Sequence, residues 1–396
     1  MVNRHHAYRL LQCLTVAFRP LLVEELAEIL ALDFDNTKDG VPQLREDWRG
    51  DDQQEEVLSL CSSLIAVVKI GDHRMVQFSH FSVKEFLTSD RKSDGLDASK
   101  QEVSHVYIPP EPAHTVIVKA CLGILLRSGD GMGAVRAKSS ALDNYAAEHW
   151  MDHAQFKNVS THIENGMRRL YDPAKPYFKA WLDLYDVDNG WYAFGGNVTK
   201  SRGSPLYYAS FGGLRNLTEH LIDKHPMHIN ATLGQCLSPL VAALYNGHFD
   251  IADLLYKNGA VVDIMGGNDN RTPLYAAVVD EDVDIAEWLL AHGANATSSM
   301  NRHETPLHFS VRRRKFQFVQ MLLKDRTNVN AKTNVNVNAK NGADRTPLHL
   351  ASEDGQVETV RLLLQLRADI DARDTSHSTP LHLALRSRVG DKLRNS

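Results

Sequence analysis

His149 and His153 stand four residues apart in a helix-patterned segment, with Asp152 beside the second. On one helix face that spacing can chelate a divalent cation. No third ligand is assignable, so packing at a core edge is the simpler expectation. A phosphate-cradling loop needs Gly-x-x-x-x-Gly-Lys-Ser/Thr, its amides and lysine converging on the phosphates. The glycine-rich run Gly129-Asp130-Gly131-Met132-Gly133 is followed by Ala134 and Val135 and lies between helical patterns, so it reads as a linker. No Gly-x-Ser-x-Gly elbow occurs. Cys13, Cys61, Cys121 and Cys236 are far apart with no Cys-x-x-Cys, which suggests neither a zinc site nor a disulfide framework. With 19 histidines, some pair falls at ligand spacing by chance. No enzyme activity, cofactor, metal or small-molecule substrate is expected.

The elements that would hold any site belong to a folded chain. Its 396 residues are 43% hydrophobic and 23% charged, which excludes a disordered or collagen-like protein. Residues 1–199 hold 21 Lys+Arg against 28 Asp+Glu, and residues 200–396 hold 23 against 21. Neither half has the basic excess a nucleic-acid binder uses to displace counterions, so nucleic acid is not expected as a partner. Arg9 and Gln12 interrupt the apolar N-terminal run at helical spacing, unlike a signal peptide. The longest apolar stretch, 116–126, is broken by Lys119 and too short for a bilayer. No membrane association is expected, and a cytoplasmic location, with the nucleus as an alternative, is.

The second half repeats itself. Ser204-Pro205-Leu206, Ser238-Pro239-Leu240, Thr272-Pro273-Leu274, Thr305-Pro306-Leu307, Thr346-Pro347-Leu348 and Thr379-Pro380-Leu381 recur with proline gaps of 34, 34, 33, 41 and 33. The long gap has a cause: Asn328-Val329-Asn330-Ala331-Lys332 is nearly copied as Asn336-Val337-Asn338-Ala339-Lys340, an insertion of eight. In each unit Ser or Thr is an N-cap and Pro opens the helix, where its missing N–H costs nothing. A small residue (Ala209, Ala243, Ala277, Ser310, Ala351, Ala384) lets a second helix approach. That helix carries an apolar stripe: Ile251, Leu254 and Leu255; Ile285, Trp288 and Leu289; Phe318, Met321 and Leu322; Val360, Leu363 and Leu364. Gly259 and Gly293 end their helices as left-handed caps, replaced elsewhere by His225, Arg326 and Arg367 at about 1 kcal/mol each. The last unit is expected to hold only a first helix, leaving Leu381, Leu383 and Leu385 uncovered.

These units resemble ankyrin repeats: Thr346-Pro347-Leu348-His349-Leu350-Ala351 and Thr379-Pro380-Leu381-His382-Leu383-Ala384 reproduce that family's hexapeptide. The resemblance implies that His308, His349 and His382 brace neighbouring repeats by hydrogen bonds. It also implies an α-solenoid that binds protein partners through its concave face.

In the first half, residues 4–31 read as two helices divided at Arg19-Pro20, the second with Leu22, Leu26, Ile29 and Leu30 on one face and Glu24, Glu25 and Glu28 on the other. Residues 33–55 read as an acidic loop. A helix with Val57, Leu60 and Leu64 leads into a hairpin, Ile65–Val68 and Met75–Phe78 around Gly71-Asp72, before a short helix from Ser82. Helices followed by a hairpin resemble a winged-helix module. Residues 78–87 are similar to the end of that segment in fungal NACHT-type signalling NTPases of the STAND class. Tyr145–Trp150, and Asp172–Phe178 with Trp181, are similar to the spacer before their ankyrin arrays. The NTPase core has no counterpart here. The helix before the hairpin carries Glu55 and Glu56 and no Lys or Arg, so packing is expected of it rather than DNA binding.

The expected fold is mainly α: a winged-helix-like α+β module over 1–95, a helical spacer over 96–200, and about five and a half ankyrin repeats over 201–391. Candidate partner-binding residues lie where first helices give way to second ones: Tyr245, Asn246 and His248; Asp280, Glu281 and Asp282; Arg312, Arg313, Arg314 and Lys315; Glu353 and Asp354. The acidic turn, with Asp284, and the basic turn fall at matching places in adjacent repeats. They read either as a mutual salt-bridge ladder or as a polarised patch steering a charged partner. The function expected is a non-catalytic interaction scaffold or sensor, a C-terminal portion of a STAND/NLR-like receptor. The alternatives are an accessory subunit or fragment of a nucleotide-driven NACHT switch, and a substrate-recruiting adaptor.

Overall fold

Alternating helix and strand signals in the first half build a small sheet onto helices, and the proline-opened units of the second half build helix pairs. The computed structural model describes residues 2–49, 51–60, 63–89, 107–129, 140–187, 203–232, 238–265, 271–298, 303–324 and 335–394. The chain divides into two compact units, Met1–Gly190 with Gly212–Lys224, and Trp191–Phe211 with His225–Ser396.

In the first unit α1 (Val2–Val16) leads through β1 (Leu21–Leu22) to α2 (Val23–Leu30), β2 (Leu32–Lys38), β3 (Val41–Leu44), α3 (Asp51–Leu60), β4 (Ile65–Ile70), β5 (His73–Phe78) and α4 (Phe81–Thr88). The expected wing is present: β4 and β5 pair antiparallel from Ile65↔Phe78 to Ile70↔His73, and β1 adds on the far side of β5. The acidic loop is not wholly a loop. Residues 32–44 form a hairpin, β2–β3, turned by Asp39 and Gly40 with φ of 55° and 77°. An Asp-Gly pair supplies the two left-handed residues a tight hairpin needs.

Helices α5 (Pro110–Leu125), α6 (Asp143–Ala154), α7 (Val159–His162), α8 (Glu164–Leu170) and α9 (Tyr177–Leu184) complete the unit with α11 (Arg215–Lys224). Helix α5 is its centre, buried from Ile117 to Leu125 except at Lys119 and packed on α1, α6 and β3. A Cβ at Gly123 would lie 2.7 Å from the Pro42 carbonyl oxygen, and one at Gly166 would lie 2.6 Å from Val41. Those two glycines let β3 sit directly on the helices. The spacer motifs are core: Trp150, Tyr171 and Trp181 pack together, and the Trp181 indole N–H donates to the Ala147 carbonyl at 2.9 Å.

The polar face expected of α2 is engaged in ion pairs, and only Glu24 on it is partly exposed. Glu25 is buried and accepts from the Arg19 guanidinium and the Leu22 N–H, Glu28 accepts from Arg49, and Glu24 from Arg74. Three glutamates thus bind three arginines from other segments, which pins α2 between its neighbours.

In the second unit α10 (Pro205–Phe211) precedes the helix pairs α12 (Pro239–Tyr245) with α13 (Phe249–Lys257), α14 (Pro273–Asp280) with α15 (Val283–Ala291), α16 (Pro306–Arg312) with α17 (Phe316–Lys324), and α18 (Pro347–Glu353) with α19 (Val357–Gln365), then α20 (Pro380–Arg394). Each cap forms as expected: Ser238, Thr272, Thr305 and Thr346 accept from the backbone N–H three residues on. Ala243, Ala277, Ser310 and Ala351 are buried. Within the apolar stripes Ile251 and Leu255, Ile285 and Leu289, and Phe318 and Leu322 are buried, whereas Leu254, Trp288 and Met321 lie at the rim. Leu364, expected inside, is 43% exposed.

Two end effects differ from expectation. Arg367 takes the left-handed cap at φ 60°, as Gly259 and Gly293 do, but His225, which precedes Pro226, sits at φ −135°. No left-handed penalty arises there. Leu383 is buried, since α20 packs on α18, while Leu381 and Leu385 are exposed. Arg326, the first Asn-Val-Asn-Ala-Lys copy, residues 130–139, Cys61 and Cys236 lie outside the described residues.

Candidate protein-interaction surface

The array is held in register by side chains that each reach one repeat along. His308 shows the pattern. Its Nδ1 faces the Thr305 N–H and hydroxyl at 3.4 and 2.9 Å, and its Nε2 lies 3.0 Å from the Arg345 carbonyl oxygen. The Thr305 N–H requires Nδ1 to accept, which leaves the proton on Nε2 to be donated to Arg345. Burial lowers the His308 pKa, favouring that neutral ring. His349 repeats the arrangement, with Nε2 at 3.1 Å from the Ser378 carbonyl. His382 makes the local half with Thr379.

A second set of braces carried no obvious sequence signal. Asn230 accepts from Val261 N–H at 2.8 Å, Asp263 from Asn295 N–H at 3.0 Å, and Asn338 from Asp369 N–H at 2.8 Å, spans of 31, 32 and 31 residues. Only their common period could have revealed them. Asn338 belongs to the second of the duplicated segments.

The turn residues form a staggered ladder. Tyr245 donates to Asp280 at 3.0 Å, Lys315 meets Glu281 at 2.6 Å, and Arg314 donates to the Asp354 carbonyl at 3.0 Å. The acidic and basic turns thus share one direct pair, Lys315–Glu281. Arg312 turns to Glu304 and Arg313 covers the Phe309 ring, while Glu353 accepts from Arg345 at 2.8 Å. Asp282 caps α15 through Ile285 N–H. Asn246 bonds back to Ala242, and burial lowers the pKa of His248, which also meets the Phe211 backbone. Burial raises the Asp280 pKa, with the Tyr245 hydroxyl pulling the other way.

Backbone geometry marks the same turns. In the turns that follow these first helices Gly213, Gly247, Glu281, Arg314 and Gly355 are left-handed, with φ between 57° and 74°. Glu281 and Arg314 thus keep charged side chains where glycine is the unstrained choice, at a cost of about 1 kcal/mol each. Glu281, Arg312 and Arg314 remain 54, 52 and 66% exposed at their side chains.

The two histidines of α6 face different partners. His153 is wholly buried, its Nδ1 2.8 Å from His114 Nδ1 and its Nε2 2.9 Å from the Tyr145 hydroxyl, while His149 faces Asp152. Burial pushes the pKa of His114 down to about 4 and that of His153 to about 3. Among the described residues no group of three or more His, Cys, Asp or Glu is placed to hold a metal ion. No described helix is long and apolar enough to cross a membrane.

Residues 1–99 match the GPI inositol-deacylase winged helix domain, and residues 258–333 and 329–384 match two ankyrin-repeat families. The chain is 28% identical to azaphilone pigments biosynthesis cluster protein L of Monascus ruber over 64% of its own length and 55% of that protein's. It is 28% identical to mouse inversin over 37% of its length and 13% of that chain. It is 30% identical to human ankyrin repeat and SOCS box protein 16 over 39% and 32%. The chain therefore spans about half the first relative and less of the other two. Ankyrin repeats imply a protein–protein interaction role. With the repeat caps, the inter-repeat histidines and the winged hairpin all in place, the chain carries ankyrin repeats that follow an N-terminal winged-helix domain.

Proposed function

We propose that the chain is a non-catalytic scaffold or sensor that docks a protein partner on the concave face and adjoining turns of its array. It would act as the C-terminal portion of a STAND/NLR-like receptor. In this reading residues 1–95 and 96–200 are the regulatory module and spacer, and 201–391 the sensing end. The supporting observation is the turn ladder: Glu281 and Arg314 hold charged, exposed side chains in strained left-handed backbone. Exposed pairs of this kind contribute about 0–1 kcal/mol, which does not clearly offset the strain. A gain in partner binding would. The buried free thiols of Cys13 and Cys121 fit a reducing compartment, the cytoplasm or nucleus.

The test is affinity purification with the full chain, followed by association rates against ionic strength for the wild type and for Arg312→Ala/Arg313→Ala/Arg314→Ala. Rim charges act mainly on encounter, so the variant is expected to fold normally, associate more slowly and lose salt dependence. An unchanged rate and salt slope would confine these arginines to the ladder. The similarity of residues 78–87 to the end of the winged-helix segment in NACHT-type NTPases favours one second reading, in which the chain serves a nucleotide-driven NACHT switch. Co-purification of an NTPase would support it.

A further inference from the structure

Arg9 lies on α1 in the first unit, stacked over the Phe34 ring at 4.0 Å, at the wall of a cavity of about 540 Å³. Leu30 and Leu32 form its buried apolar floor, and Trp48 and Phe34 flank it. The acidic groups around it are mostly engaged elsewhere. Asp33 accepts from the backbone N–H groups of Asp35 and Asn36 and from Arg45, and Glu56 pairs with His6 at 2.9 Å. Among the described residues no carboxylate makes an ion pair with Arg9. Burial is the largest influence on its guanidinium and lowers its pKa, while Cys13, Asp35 and Asp33 pull the other way.

We propose that this cavity binds a carboxylate carried on an aromatic or aliphatic body, with Arg9 taking the carboxylate. The guanidinium fork matches a planar carboxylate bidentately, and the Phe34 ring lies 4.0 Å beneath its central carbon. The apolar floor and Trp48 receive the ligand's body, and the volume lies in the range of small-ligand sites. A phosphate fits less well. Among the described residues Arg9 is the one arginine that lines the cavity, and Asp35 and Glu56 beside it would repel a dianion more than a monoanion.

The test uses the full chain titrated by calorimetry with 2-naphthoate, with its neutral isostere 2-naphthamide, and with the capped dipeptide acetyl-Phe-Glu-amide. The acid is expected to bind saturably, at least tenfold more tightly than the amide, and Arg9→Gln should remove that difference. Saturable binding of the dipeptide but not the free acid would support the same carboxylate chemistry and assign its source to a protein side chain. Equal binding of acid and amide by the wild type, no saturable binding of either acid, or acid binding unchanged in Arg9→Gln would overturn the proposal. Should Arg9→Gln not fold, Arg9→Lys, which keeps the charge but loses the fork, is expected to retain only part of the preference for the acid. A full preference in that variant would count against bidentate recognition.

Discussion

The Nε2 of His308 lies 3.0 Å from the Arg345 carbonyl oxygen, 37 positions along the chain, while its Nδ1 holds Thr305 in its own repeat. One buried ring therefore closes a helix cap and a repeat boundary together. His308→Ala leaves the Arg345 carbonyl and the Thr305 N–H without those partners and opens a cavity. A loss of about 2–4 kcal/mol is expected. Denaturant unfolding of the full chain measures it, and a loss under 0.5 kcal/mol would mean the ring is not a brace.

Acid should weaken the fold through its buried imidazoles. His114, His153 and His308 have folded pKa values below the unfolded value of about 6.5. Between those limits the unfolded chain binds protons that the folded chain does not, so stability falls as pH drops below about 6.5. For the His114–His153 pair the decline should level off near pH 3–4, where the folded rings charge too. Urea midpoints at pH 7.5 and 5 should differ, and His114→Phe/His153→Leu should flatten the difference. A midpoint independent of pH in the wild type would refute this.

Relieving the left-handed turns separates strain from charge. Glu281→Gly and Arg314→Gly each remove about 1 kcal/mol of backbone strain and lose one exposed pair worth about 0–1 kcal/mol. Each should leave stability unchanged or slightly raised. Arg314→Val, β-branched at a positive φ, should be destabilising. Thermal melts of the three variants decide, and a marked loss in both glycine variants would show that the charges hold the array together.

Cooperativity should be local. Leu348 is 2% exposed, so Leu348→Ala should cost about 2–5 kcal/mol. Because repeats contact only their neighbours, hydrogen exchange should rise across α16 to α20 far more than across α1 to α4. Uniform loosening of both regions would contradict a modular array.

The array was legible in sequence because its stabilising contacts repeat. A Ser/Thr-Pro cap at a fixed period needs only local backbone geometry, and a helix pair that cannot cover its own apolar face must stack. The His308 and His349 braces came from the family resemblance and the structure places both. The β2–β3 hairpin is poorly legible in sequence despite its Asp39-Gly40 turn, because its strands are largely polar and are seated by Gly123 and Gly166 from helices far along the chain. The pairing of charges was also decided in three dimensions. Sequence set the acidic and basic turns side by side, but a side chain's partner depends on stagger between repeats, and that sends Lys315 back to Glu281 and Arg314 forward to Asp354. Likewise, sequence put Glu24, Glu25 and Glu28 on one stripe of α2. Only the folded chain brings Arg74, Arg19 and Arg49 to them, because burial of a carboxylate is tolerated where a guanidinium and backbone N–H groups already wait.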